Sequence, residues 1–249
     1  LADVHGNLPA LEAALREIEP HGVGTIIVAG DLVFGGEQPL EVWRLLEQVG
    51  AKCIRGLSDT ALVSLRPEEM TPADEEEQAR LDLFQHTRAA LGDLVLERIR
   101  RLPLSLRLPL IDGSELLVVH GSPADPMSDI TPSMSDDELE AATDDPADIV
   151  ACGGGHIPFM RVLEMNRVVG LGAVGMAPEG RVAHFMVLRP RMDGAHSVQL
   201  ADVMVVVFLG RCDRYGGKHG NCSREKTSCE HANTPFHGFT PSGRPPRAD

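Results

Sequence analysis

The chain has 249 residues, of which 43% are hydrophobic and 24% charged, and its mean hydropathy is −0.07; this balance suits one large core and excludes a disordered chain. A formal charge of −14 argues against broad binding to nucleic acid or anionic membrane, which the average field repels, while a local cationic centre remains compatible with it. No apolar run approaches the ~20 residues of a membrane helix and no basic-then-apolar leader is visible, so a cytoplasmic protein without a membrane partner is expected.

The chain opens at Leu1 already inside a motif, and a first strand truncated on its N-terminal side is expected. Leu8, Leu11, Leu15 and Ile18 stand at helical spacing, and the β-branched run from Thr25 to Ala29 ends at Gly30-Asp31. The pattern repeats with Leu40, Trp43, Leu46 and Val49, then a brief strand over Lys52 to Ile54 that leads into Gly56-Leu57-Ser58-Asp59. The opening is therefore β-α-β-α-β with polar residues just after each strand, the edge at which ligands collect in α/β sheets. Residues 73–101 predict an insert of one or two amphipathic helices, with Asp74-Glu75-Glu76-Glu77 as a solvated helix start. A strand pair follows at 104–109 and 115–119 around an Asp112-Gly113 turn, and Ser135 with Glu138 forms a capping box ahead of a helix near 136–143. Short strands near 148–152, 161–164, 167–171, 182–188 and 197–208 complete a second half that two sheets with outer helices accommodate.

One domain over 1–208 is expected. From Leu209 onward apolar periodicity stops, and 209–249 reads as a poorly ordered or aberrant tail. Its Cys212, Cys222, Cys229, His219, His231 and His237 invite a zinc reading, but no Cys-x-x-Cys pair or finger spacing is present. Five cysteines, with Cys53 and Cys152 completing the set, do not make a disulfide framework.

Four polar clusters end strand-like segments: Asp3-Val4-His5-Gly6-Asn7, Gly30-Asp31, His120-Gly121-Ser122-Pro123 and Gly153-Gly154-Gly155-His156-Ile157-Pro158-Phe159. A lone histidine after a strand is more often a hydrogen-bonded structural residue. Carboxylates and imidazoles together, in this order, are the donor set for a borderline divalent ion such as Mn, Fe, Ni or Zn. With these motifs the chain resembles the small prokaryotic calcineurin-like metallophosphoesterases over roughly residues 1–190. Those proteins carry Asp-x-His-Gly-Asn, Gly-Asp, Gly-Asn-His-Asp, His-Gly-Ser-Pro and Gly-His-Thr-His in order.

The resemblance implies a four-layer α/β/β/α sandwich of two mixed β-sheets flanked by helices, and a metal-dependent phosphodiesterase or phosphatase that acts on a small phosphate ester through metal-activated water. By position it implies a first ion on Asp3, His5, Asp31 and His156, and a second on Asp31 and His120, for which Leu57 and Gly154 stand where the family has Asn and His. Ser58 stands where the family has a proton-donating His, and Asp59 is retained, either to orient a neighbour or as a turn or helix N-cap residue. Arg55 is a candidate phosphate-binding guanidinium or a surface ion-pair partner. The loop Gly170-Leu171-Gly172-Ala173-Val174-Gly175 resembles the family's Asn-Pro-Gly-Ser-Val-Gly. His21, His86, His184 and His196 are the remaining imidazoles available to a depleted second site, and each is more often a surface or core residue. The same departures suit an alternative, a catalytically impaired relative acting as a metal- and phosphate-binding or protein-interaction module.

Overall fold

The computed structural model describes residues 1–205. The tail from 209 and its cysteines and histidines lie outside the described residues. In chain order the elements are α1 (Leu8–Ile18), β1 (Ile27–Val28), α2 (Pro39–Gln48), β2 (Lys52–Cys53), α3 (Leu57–Ser64), α4 (Glu75–Arg100), β3 (Ser105–Pro109), β4 (Glu115–Val119), α5 (Asp136–Ala142), β5 (Ile149–Cys152), β6 (Pro158–Val162), β7 (Arg167–Leu171), β8 (Val182–Arg189) and β9 (Ser197–Met204).

Strands β3 to β7 form one mixed sheet in the order β3-β4-β5-β7-β6. Its centre, β4-β5-β7, is parallel, and β3 and β6 flank it antiparallel. The second layer is built from the parallel pair β1/β2 and the antiparallel pair β8/β9. Residues 1–5 join these pairs: the Leu1 ammonium donates to Ile27 O, Ala29 N–H to Leu1 O, and Asp3 N–H to Gly30 O. On the other side Val174 N–H donates to Ala2 O, Gly175 N–H to Asp3 O, and His184 N–H in β8 to Ala173 O.

Alternation along β4 shows how the layers are sealed. Leu116 and Val118 face the second layer with Ala2, Ala29, Ile54, Ala151, Val169 and Leu171, while Leu117 and Val119 face outward against Leu139 of α5, Ile130 and Val150. Helix α1 covers β8 and β9, α2 lies beside α1, and α4 packs on α2 and α3. Helices thus lie outside two facing sheets. No helix among the described residues is long and apolar enough to cross a membrane.

The 73–101 segment forms α4, interrupted at Gly92, whose φ of 71° and ψ of 166° break the helical run, in keeping with the expected one or two helices. One strand boundary differs from expectation. Strand β6 starts at Pro158, not near 161, because Gly170 opposite Phe159 has no side chain: a Cβ there would lie 2.4 Å from the Phe159 ring. Strand β9 spans Ser197–Met204, and residues 206–208 of the expected strand lie outside the described residues.

Candidate metal centre

The polar clusters sit where strand-like segments end and helices begin. Asn7 caps α1 by accepting from Ala10 N–H at 3.2 Å, and its amide donates to Gly175 O at 3.1 Å, which pins the Asp3-to-Asn7 turn between α1 and the last loop. Gly175 has to be glycine, since a Cβ would stand 1.9 Å from Val4 O. Asp31 follows β1, His120 follows β4 and His156 precedes β6. Asp3, His5, Asp31 and His156 have φ of 53°, 49°, 51° and 55°, and they are the non-glycine residues in the left-handed region among those described. Such backbone strain clusters at functional sites.

The five expected ligands converge. Donor atoms of Asp3, His5 and His156 lie within 4.8 Å of one another, as do those of Asp3, Asp31 and His120. Asp31 spans both imidazoles, with Oδ2 3.7 Å from His5 Nε2 and Oδ1 3.4 Å from His120 Nε2. The His5 and His120 Nδ1 atoms donate to Phe34 O at 2.8 Å and Ala29 O at 2.9 Å. A carbonyl only accepts, so in the neutral rings both Nε2 atoms carry their lone pair inward, the arrangement that carbonyl-braced metal-binding histidines use. His5 Nε2 lies 3.3 Å from His156 Nε2.

Electrostatics agree with a cation site. Burial lowers the His5 imidazole below its usual range against the pull of Asp31, and burial with His5 lowers His156 to about 4, so both are neutral donors at pH 7. Burial raises the Asp3 carboxyl to about 8, opposed by His120 and assisted by Asp31. At Asp31 burial also raises, but His120, His5 and the Ser58 N–H outweigh it and hold this carboxyl below its usual range. Burial would lower His120, but Asp31 and Asp3 raise it to about 9. Protons therefore occupy Asp3 and His120, the places a divalent cation would take, and the mixed carboxylate and imidazole donors fit Mn, Fe, Ni or Zn.

Residues 1–193 match the calcineurin-like phosphoesterase superfamily domain. The chain belongs to the calcineurin-like phosphoesterase superfamily. Its fold is similar to that of hypothetical protein PH1004 from Pyrococcus horikoshii OT3, with a TM-score of 0.68 at 23% identity, covering 82% of this chain and 86% of that one. It is also similar to a putative diadenosine tetraphosphatase, with a TM-score of 0.50 at 19% identity, covering 80% and 90%. In sequence it is 26% identical over 184 residues to the uncharacterized protein MJ0912 of Methanocaldococcus jannaschii, 70% of this chain and 68% of that protein.

Against the phosphoesterase pattern, the altered motif after β2 becomes the N-terminus of α3. Gly56 is its N-cap, and Asp59, fully buried, accepts from Gly56 N–H at 3.0 Å and Leu32 N–H at 3.0 Å. Asp59 thus ties this turn to the segment that carries Asp31. Ser58 N–H donates to Asp31 Oδ1 at 2.8 Å, and Ser58 Oγ is buried with no hydrogen bond of good geometry. Leu57 is half-buried. Arg55 is not turned to the cluster: its Nη1 donates to Arg100 O at the C-terminal end of α4, at 2.7 Å.

None of the spare imidazoles is drawn in. His21 meets Arg189, His184 accepts from Ala173 N–H, His196 lies against Asp112 and Ser114, and His86 is exposed. The carboxylate of Asp129, nine positions after His120 and outside the four sequence motifs, lies 2.7 Å from where a Cβ on Gly154 would stand. A cavity of about 530 Å³ between the sheets, lined by Leu1, Ile27, Val118, Ala151, Leu171 and Met186 among others, with His21 and Arg189 at its wall, contains none of the expected ligands.

Proposed function

We propose that this phosphoesterase-superfamily chain hydrolyses a small phosphate ester, a phosphodiester or a phosphomonoester, at a divalent ion of the Mn, Fe, Ni or Zn type held by Asp3, His5, Asp31 and His156. The observation that carries this reading is the convergence of the His5 and His156 Nε2 atoms at 3.3 Å beside two buried carboxylates. Inward lone pairs this close repel unless a cation or proton lies between them. An ion bound there supplies Lewis acidity toward a phosphoryl oxygen and lowers the pKa of water. The protein's part is to hold these donors in one orientation through Phe34 O, Ala29 O, Ser58 N–H and Gly154 N–H, and to keep bulk water from Asp3 and Asp31.

Ser58, in place of an imidazole, is too weak an acid to protonate a leaving oxygen near pH 7, where a positioned acid contributes ~10²–10⁴-fold. Esters with good leaving groups are therefore the substrates it serves best. The same substitution, with Arg55 turned to α4, favours a second reading: a metal- and phosphate-binding module on this fold. Metal content and bis-(p-nitrophenyl) phosphate hydrolysis, measured on one Mn-loaded sample with Asp31→Asn beside it, separate the two. Turnover that vanishes in the variant supports the hydrolase. One bound ion with no turnover of this activated ester supports the binding module, and no bound ion defeats both.

A further inference from the structure

We propose that Asp129 is a ligand of a second divalent ion, taking the part of the imidazole that the superfamily pattern places at 154. The inference rests on the metal-centre reading above and concerns the half of the site that the motifs leave short of donors.

Gly154 has φ of +69°, and a Cβ built on it would lie 2.7 Å from Asp129 Oδ1 and 3.2 Å from His120 O. The carboxylate oxygen therefore occupies space that a side chain at 154 would need, within the reach of an imidazole ring from that Cβ. A histidine at 154 and Asp129 in its present place exclude each other. This chain has the glycine and the acid. Gly154 is also at the cluster itself, since its N–H donates to both oxygens of Asp3 at 3.3 and 3.1 Å. The Asp129 charge is felt there, adding to the upward push on Asp3 and on the buried Cys152 thiol.

The segment that brings Asp129 to this place is built, not loose. After His120 the chain turns back through Ser122, whose N–H donates to Asp125 O at 3.1 Å, and Ser128 N–H donates to the same oxygen at 3.0 Å. Asp125 N–H donates to Ser122 Oγ at 3.0 Å. The returning loop lies so close to Gly121 that a Cβ there would meet Pro126 O at 2.6 Å and Ser128 O at 2.9 Å. Ile130, next in the chain, is 2% exposed in the core under β4 and β5. Its carbonyl would stand 2.5 Å from a Cβ on Gly155. Glycines at 121, 154 and 155 thus admit the loop from three directions and leave Asp129 between the His120 and His156 motifs.

The donors on this side are Asp31 Oδ1, His120 Nε2 at 3.4 Å from it, and the Asp129 carboxylate. The buried Ser58 hydroxyl, which lacks a well-formed hydrogen bond, is held beside Asp31 by its own N–H. Asp129 stands outside the two tight groups of ligand atoms, so binding requires its carboxylate to turn toward an ion between Asp31 and His120. Two oxygens and one imidazole nitrogen suit Mn²⁺.

The test is Mn²⁺ titration of the full chain by calorimetry, with metal analysis and electron paramagnetic resonance on the loaded samples. The wild-type chain is expected to bind two ions and show a spin-coupled Mn pair. Asp129→Asn, nearly isosteric, is expected to keep the first ion at unchanged affinity, to weaken the second about 100-fold or more, and to lose the coupled signal. Asp129→Ser serves as the second variant, and circular dichroism of the metal-free proteins shows that all are folded. Gly154→His combined with Asp129→Ser is expected to regain the second ion. A wild-type chain that binds one ion, or an Asp129→Asn chain that keeps two at unchanged affinity, overturns the inference and leaves the first site intact. A wild-type chain that binds none overturns the metal-centre reading itself.

Discussion

Replacing Asp59 by alanine tests whether this acid is a brace of the site and not a reacting group. Its carboxylate is fully buried and accepts from Leu32 N–H at 3.0 and 3.3 Å and from Gly56 N–H at 3.0 Å. Alanine leaves two buried N–H groups without an acceptor, each costing about 1–3 kcal/mol, so a loss of about 2–6 kcal/mol is expected. The cost depends on pH. Burial, reinforced by Asp31, raises the Asp59 carboxyl from 3.8 to about 7. Between those values the folded chain holds a proton that the unfolded chain has released, so stability associated with Asp59 is fully present below about pH 4 and is lost as pH rises through 7. Asp59→Ala should therefore cost more at pH 5 than at pH 8. Thermal and urea unfolding of chelator-treated protein at both pH values is the assay, with a drop in Tm of roughly 5–15 °C expected at pH 5. A loss below about 1 kcal/mol at pH 5, or a larger loss at pH 8, would refute the bracing role.

The remaining predictions concern the metal and the missing acid. Asp3 and His120, with folded values of about 8 and about 9 against 3.8 and 6.5, hold protons that a divalent ion displaces. Mn²⁺ binding at pH 7 should release about one to two protons, and affinity should climb up to about pH 9; calorimetry in buffers of different ionisation enthalpy reads this, and zero release at pH 7 counts against it. Ser58→His should raise kcat/KM for phenyl phosphate by about 10²-fold and leave p-nitrophenyl phosphate nearly unchanged, at a stability cost of about 1–3 kcal/mol because the position is 3% exposed. Equal gains on both esters would show that the imidazole acts otherwise than as an acid. Gly56→Ala places a Cβ 2.3 Å from Asp31 N and Oδ1, so Mn²⁺ affinity should fall about 10-fold or more while the metal-free fold persists; unchanged affinity would mean that Asp31 is not held by this contact.

Much of the fold was legible because its signals are local. Leu8, Leu11, Leu15 and Ile18 repeat at the helical period and form one face of α1, and Asp112-Gly113 supplies the hairpin turn between β3 and β4. What was not legible depends on partners distant in sequence. Residues 1–5 act as the central connection of the second layer only because residues 27–31 and 173–175 come to either side of them. The start of β6 was set by a missing side chain at Gly170. Arg55 beside the altered motif has the right chemistry for phosphate, yet the last carbonyls of α4 have no intrahelical donors, and Arg100 O takes the guanidinium. Nothing near Arg55 in the sequence announces that helix end. Asp129 was invisible for a related reason: the space it fills is defined by what Gly154 lacks.

The four left-handed candidate ligands, Asp3, His5, Asp31 and His156, bear on how the site is kept. Each costs roughly 1–2 kcal/mol relative to an ordinary conformation, a sum comparable to a large part of a domain's net stability. The chain holds three of them by backbone bonds that leave the side chains free, Asp3 N–H to Gly30 O, His5 N–H to Asp31 O and Gly175 N–H to Asp3 O, and adds one bond to a side chain, Ser58 N–H to the Asp31 carboxylate. Three of these four are backbone-to-backbone, so the ligand geometry is set by the sheet connections and survives the changes at Leu57, Ser58 and Gly154. Those changes remove side chains from the second half of the site and leave the scaffold of the first untouched. A chain that had lost all use for a metal would gain stability by relaxing the four strained turns, whereas here each remains and each carries a carboxylate or imidazole of the cluster.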